Sequence, residues 1–211
     1  MALQIITGGS GCGKSKKVCD WVLQDSDKNP KKNYFVIVPD QFTMQTQMDF
    51  VLASPKGGIM NIDILSFSRL AHRIFEETGG NRKPVLDDTG KSLILRKIAG
   101  SIKDSVPVIG SNLNKQGYIH EVKSAISEFM QYGIGESELD EMISYAKNRG
   151  ALHYKLKDLQ VLYKAFREYI KDHYITTEES MDILAEELYK SELLPGSGVV
   201  FDGFTGFTPI Q

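Results

Sequence analysis

The sequence predicts an α/β fold in which a parallel sheet is interrupted by an all-helical insertion. Up to about residue 80, short apolar runs alternate with amphipathic stretches, strand then helix three times over, which is the pattern of a parallel sheet. From about 87 to 193 no run reads convincingly as a strand, and strand character returns only at 198–202, GVVFD. At the first strand-to-helix turn stands GGSGCGKS, which makes this a phosphate-loop version of the fold. The expected division is 1–86 with 195–211 for an incomplete α/β core, and 87–194 for the insertion.

Each element has its own warrant. Residues 3–7, LQIIT, read as a short buried strand ending in glycines, and KKVCDWVLQ as a helix with Val18, Trp21 and Val22 on one side. YFVIV at 34–38 reads as a second buried strand, stopped by Pro39. In the helix that follows, Asp40 can cap, and Phe42, Met48 and Leu52 are the expected core contacts. IMNIDIL at 59–65 reads as the third strand, and Ser66 can cap the next helix, which ends at Gly79 and Gly80. Helices are then expected at 87–101, 116–132, 136–147, 151–173 and 178–191. In the longest, Leu152, Leu156, Leu159, Tyr163, Phe166, Ile170 and His173 are spaced by four and three, a helical seam. Thr176 and Glu179 fit a capping box, with Met181, Leu184 and Leu188 as the buried stripe behind it. The segment 106–115, with Pro107, Gly110 and Ser111, reads as the most mobile loop.

Composition narrows the function classes. Hydrophobic residues make up 41% of the 211, so a disordered or low-complexity chain is excluded. With 25 Lys and Arg against 27 Asp and Glu the net charge is −2, so no bulk positive field announces nucleic acid, although local basic patches stay open. Cys12 and Cys19 make neither a disulfide framework nor a zinc site; they read as a loop residue and a helix core residue, both reduced. The start, MALQIITGGSG, lacks a basic n-region, and no stretch approaches the ~20 apolar residues of a spanning helix. A cytoplasmic chain without a membrane segment is expected.

The strongest chemical signal is Gly8-Gly9-Ser10-Gly11-Cys12-Gly13-Lys14-Ser15, a full match to G-x-x-x-x-G-K-[ST]. Glycines let successive backbone N–H groups face one anion, and the following helix adds the positive end of its dipole. Lys14 would reach the β- and γ-phosphates of ATP and Ser15 would ligate Mg²⁺; the plainer reading is a glycine-rich turn without a ligand. Hydrolysis also asks for an acid at the end of a second buried strand. Asp202 is the candidate, as a second Mg²⁺ ligand, but Asp-Gly is equally a turn signal. The next residue, Gly203, has no side chain with which to polarise water, so the sequence supports nucleotide binding better than turnover.

Four segments taken together, LQIITGGSGCGKS, YFVIVPDQFTMQTQ, DILSFSRLAHRIFEETGG and VVFDGFTGFTPIQ, resemble the N-terminal region of the AddB family, components of bacterial AddAB helicase–nucleases that process double-strand DNA breaks. The resemblance runs through essentially the whole chain in order. It implies a RecA-like domain similar to the first domain (1A) of superfamily 1 helicases, with a helical insertion. It implies a single-strand DNA path along Gln41, Phe42 and Thr43 and along Ser66, Phe67, Ser68 and Arg69. On chemistry alone, Phe42 and Phe67 can stack on bases, and the hydroxyls and Arg69 can meet phosphates. Equally, Phe42 can be core, Ser66 only a cap, and the helix face of Arg69, His72 and Arg73 a solvated one. The resemblance further implies an AddA-like partner that drives unwinding, a part in recognising the Chi sequence, and a helicase-like region that is not itself a motor. Asp202 without a following Glu, and no upstream glutamine motif, fit that picture. The family's nuclease domain and 4Fe–4S cluster lie far C-terminal, so the resemblance implies that these residues are the leading part of a longer polypeptide.

Two other classes compete. A small P-loop metabolite kinase fits the length, but its lid needs arginines, and Arg149 and Arg167 sit in no glycine-rich lid segment. A scaffolding module would use the helix 151–173 as its interface, though core packing explains that stripe more simply.

Overall fold

The structure, a computed structural model, describes residues 3–80 and 83–211. In chain order its elements are α1 (Lys14–Lys28), β1 (Tyr34–Ile37), α2 (Thr43–Ala53), β2 (Ile62–Leu65), α3 (Phe67–Thr78), β3 (Val85–Leu86), α4 (Asp88–Ile102), α5 (Gln116–Gln131), α6 (Glu136–Tyr145), α7 (Ala151–Ile170), β4 (Ile175–Thr176), α8 (Thr177–Glu187) and β5 (Gly198–Phe201). They form two compact units, Met1–Gly80 with Leu184–Gly206, and Asn81–Ile183 with Phe207–Gln211. The division expected from sequence set these edges at 86/87 and 194/195 and left 207–211 with the first unit.

In the first unit a three-stranded parallel sheet has the order β2-β1-β5, with Tyr34 level with Ile62 and Gly198, and Ile37 level with Leu65 and Phe201. Central β1 is buried throughout, as its unbroken apolar run requires. Val18, Val22 and Leu23 of α1 and Phe50 of α2 pack on Tyr34, Val36, Ile62 and Ile64.

Several expectations are corrected here. Residues 3–7 form no strand: Leu3 is 88% and Ile5 77% exposed. An apolar run becomes a strand only where a neighbour takes up its ladder hydrogen bonds, and the described sheet ends at β5. The third expected strand begins at Ile62 rather than 59, with Met60 wholly exposed. Asp40 caps nothing with its side chain; it opens a single 3-10 turn, Asp40–Phe42, whose first carbonyl accepts from Thr43 Oγ1 at 2.9 Å. That turn sets the phase of α2, so Thr43 and Phe50, two helical turns apart, point inward while Phe42, Met48 and Leu52 are exposed. On α1, Trp21 is half exposed and Cys19 takes the inner place beside Val18 and Val22. Burial, reinforced by Asp20 and Asp49, pushes the Cys19 thiol up to about 11, so it stays protonated at neutral pH. Cys12 is exposed in the loop. Ser66 caps α3 as expected, accepting from Arg69 N–H, and α3 closes on left-handed Gly79.

The second unit is helical around one core. Leu95 of α4, Ile119 and Ile126 of α5, and Leu162, Phe166 and Ile170 of α7 are among its most buried members. The α7 seam holds from Leu156 to Ile170, whereas Leu152 and His173 at its ends are exposed. The stretch 87–193 is not strand-free: β4 lies within it and pairs in parallel with β3 just before it, Ile175 with Val85 and Thr176 with Leu86. Two-residue strands are too short to show a period in sequence. The capping box forms, with Thr176 N–H donating to Glu179 at 3.0 Å and Glu179 N–H to Thr176 Oγ1 at 3.2 Å. The loop 106–115 is pinned rather than loose. Val106, Ile109 and Leu113 are buried, and the Asp158 carboxylate accepts from the Val108 and Ile109 N–H groups, both at 2.8 Å.

Asp88, in the first turn of α4, accepts from buried Lys123 at 2.6 Å, and that hydrogen bond above all holds its carboxyl below the ordinary range. A carboxylate with a depressed folded-state pKa contributes stability that is complete above its unfolded pKa and lost as pH falls through the folded one. Unfolding followed by urea titration between pH 6 and pH 2.5 is therefore expected to show a loss below about pH 4, and Asp88→Asn should make that loss smaller. An unchanged acid limb in the variant contradicts the assignment.

Candidate phosphate and nucleic-acid site

The loop 8–15 turns on backbone conformations that only glycine takes readily. Gly11 and Gly13 have φ of +73° and +83°, and Gly13 leads directly into α1. Gly8 has a second reason: a Cβ there would lie 2.5 Å from Cys12 Sγ. The exposed Lys14 ammonium donates to the Gly8 and Gly9 carbonyls at 2.9 and 2.8 Å, across the mouth of the loop.

Ser15, one residue on, meets Asp202. Its Oγ donates to Asp202 Oδ1 at 3.1 Å, joining groups 187 residues apart in sequence. Asp202 N–H bonds to Ile37 carbonyl at 3.0 Å, which extends the β1–β5 ladder by one residue and aims the carboxylate beyond the strand end. Gly203 then turns the chain at φ +78°. The turn reading and the acid reading of Asp-Gly are thus compatible. Gly203 also lies against the 39–42 turn: a Cβ on it would stand 3.5 Å from Pro39 and 3.7 Å from Phe42.

The sheet is parallel, so the segments after β1, β2 and β5 all emerge at its carboxyl end, where ligands of open α/β sheets bind. A cleft of about 660 Å³ at the other end, lined by Lys28, Lys31, Lys32 and Glu192, shares none of these residues. The fate of the DNA candidates differs by residue. Gln41 and Arg69 are exposed, Phe42 is half exposed, and Phe67 and Ser68 are half-buried. Thr43 and Ser66 are buried, with hydroxyls engaged by Asp40 and by the Arg69 amide. On α3, His72 pairs with Glu76 and Arg73 with Asp63, both at 3.4 Å. Arg69 has no ion pair among the described residues. Sequence reasoning did not foresee that Phe67 joins Phe201 and Phe204, at ring distances of 5.9 and 5.6 Å. The recurrence of Phe just before and after Asp202-Gly203 was the available signal.

Could the site hold Mg²⁺? Neighbouring ligands of an octahedral ion at about 2.1 Å stand about 3 Å apart, and the Ser15 and Asp202 oxygens meet that spacing. Among the described residues no cluster of three or more His, Cys, Asp or Glu is arranged to hold a metal. A cation here would take its other ligands from phosphate and water. Nor, among them, is any helix long and apolar enough to cross a membrane.

The model of the family described as "ADDB, N-terminal" matches residues 5–211. The chain belongs to this AddB N-terminal family. Among similar proteins, the AddB protein of Lachnoclostridium phytofermentans, named as part of an ATP-dependent helicase/deoxyribonuclease, is 48% identical over 211 residues, all of this chain. The AddB proteins of Alkaliphilus metalliredigens and Listeria monocytogenes, named in the same way, are each 34% identical over 209 residues, 99% of the chain. In each case the matched region is 18% of the relative, so the chain spans under a fifth of the length of these AddB proteins. Membership in the AddB family gives the kinase alternative no support. Arg149 and Arg167, weighed as lid groups, instead lie over Tyr145 and Tyr163 in the helical unit.

Proposed function

We propose that these residues form the N-terminal, RecA-like part of a helicase–nuclease component that repairs double-strand DNA breaks by homologous recombination. The loop 8–15 binds ATP with Mg²⁺, and the strand-end segments hold single-stranded DNA and contribute to engaging Chi. The reading rests on one observation above others, the 3.1 Å approach of Ser15 to Asp202 beside a complete phosphate loop. Backbone N–H groups of the loop would surround the phosphates, Lys14 would neutralise them, and Ser15 and Asp202 would hold the cation. The ion would screen phosphate charge. Because Gly203 offers no side chain to activate water, this part binds nucleotide without acting as the motor. Unwinding then falls to an AddA-like partner in the cytoplasm, and the nuclease and 4Fe–4S cluster to the remainder of the AddB polypeptide. On the DNA side, Arg69 supplies the phosphate contact and half-exposed Phe42 and half-buried Phe67 the base contacts, while Thr43 and Ser66 shape the backbone that carries them.

The test is nucleotide and oligonucleotide titration of the chain. Asp202→Asn should lower ATP affinity in Mg²⁺ to the level seen in EDTA. Arg69→Ala should reduce the salt dependence of single-strand DNA binding by about 0.7 in log–log slope, one phosphate contact. Mg²⁺-dependent affinity that survives Asp202→Asn sinks the metal assignment, and an unchanged salt slope sinks the Arg69 contact.

A further inference from the structure

The end of the α6–α7 hairpin carries chemistry that the reading above does not use. Between Glu141 and Asp158 the sequence contains no acid, yet it holds Lys147, Arg149, Lys155 and Lys157. All four are exposed, and among the described residues none is in an ion pair. Further along the same two helices Lys164 pairs with Glu136 at 3.4 Å, and the Gln160 amide donates to Asp140 at 2.8 Å. Between Glu141 and Asp158, then, positive charge stands with no acid of its own helix pair to match it.

Aromatic rings are interleaved with these cations. Tyr145 is 77% and Tyr154 58% exposed. The Arg149 guanidinium lies 5.1 Å over the Tyr145 ring, and His153 meets the edge of Tyr154 at 5.4 Å. Beneath them the turn is fixed: Ile143, Ala146 and Leu156 form a small buried cluster, and His153 Nδ1 bonds to the Ile143 carbonyl at 3.0 Å. Large exposed rings on a rigid base cost solvation of apolar area without contributing to the core. Cations that follow a phosphate backbone, with rings on which bases stack, are the two parts of a single-strand nucleic-acid surface.

We propose that the α6–α7 turn, through Lys147 and Arg149 with Tyr145 and Tyr154, and Lys157 one helical turn on from Tyr154, is a second contact surface for single-stranded nucleic acid, separate from the strand-end segments of the first unit. An acidic protein segment would satisfy the cations but leaves the tyrosines without a purpose.

The probe is a fluorescent 20-nucleotide oligo-dT, titrated against the chain in the Arg69→Ala background to remove the other contact. Tyr145→Ala/Tyr154→Ala should weaken binding at least fivefold, the scale of losing one stacked base. Lys147→Ala/Arg149→Ala should reduce the salt slope by about 1.4, two phosphate charges. Oligonucleotides bearing 5-iodo-uracil should crosslink to Tyr145 or Tyr154 on irradiation, as read by mass spectrometry. All these side chains are exposed, so unchanged melting temperatures are expected and serve as the control. Crosslinks confined to residues 3–80 and 184–206, or poly-glutamate competing as well as oligo-dT with no effect of the tyrosine variant, overturn the proposal.

Discussion

Lys14→Ala should weaken ATP binding by one to two orders of magnitude and leave the melting temperature of the chain within a few degrees of the parent. The asymmetry follows from where the ammonium is. It is exposed, and its partners are the Gly8 and Gly9 carbonyls at 2.9 and 2.8 Å, groups that water satisfies equally well once the lysine is gone. Exposed bonds of that kind are exchanged for equivalent bonds to water, so their net contribution to folding is small. Against a phosphate the same ammonium makes charge-assisted bonds of about 1.5–3 kcal/mol, and each 1.4 kcal/mol is about tenfold in affinity. Lys14→Arg should not rescue binding, because a planar guanidinium fork does not replace a compact point charge between two carbonyls. Calorimetric titration with ATP and Mg²⁺ reads the first quantity and thermal unfolding the second. Unchanged affinity in Lys14→Ala would make the loop a glycine turn without a ligand.

How much of this was legible in sequence depended on whether the signal was local. Most caps and turns were: Ser66, the Thr176–Glu179 box and Gly79 each act within a few residues and as read, whereas Asp40 does not cap. The glycine-rich turn at 8–15 was legible because its glycines answer a backbone demand, visible in the φ angles of Gly11 and Gly13. Pairing was not. LQIIT has the composition of a buried strand, but whether a strand forms is decided by a neighbour far along the chain, and composition is silent on that. Phase within a helix failed for a related reason. One extra 3-10 turn at Asp40 rotated α2 so that Phe42 faces outward, which took it from the core and left it beside Gly203. The loop 106–115 misled because its Pro and Gly are breakers by type, whereas what holds it is the Asp158 carboxylate, about 50 residues away. In the candidate site, Asp202 was singled out from its strand-end position, but its approach to Ser15 is a fact of the fold alone.

The second large effect concerns a group that looks misplaced in sequence. Lys91 stands on the inner face of α4, only 2% exposed, where apolar periodicity calls for a leucine or methionine. Its ammonium donates to both oxygens of Glu178, at 2.7 and 2.8 Å, and to Ser127 Oγ at 3.2 Å. Glu178 is also buried, so the pair ties α4, α5 and the start of α8 together out of reach of water. Breaking such a pair by removing one member costs about 3–5 kcal/mol, since a buried charge is left unmatched. Lys91→Met should therefore lower the melting temperature by on the order of 10–20 °C. Glu178→Gln should cost less, because Asp88 stands 3.8 Å from the ammonium left behind, while Glu178 has no second cation in reach among the described residues. Replacing both, Lys91→Met with Glu178→Leu, should restore most of the loss, because matched apolar groups carry no desolvation penalty. Urea unfolding of the two single variants and the double yields the coupling directly. A coupling near zero would mean that the helices of this unit are held by their apolar seam alone, and that Lys91 and Glu178 meet without fixing how α4, α5 and the start of α8 fit together.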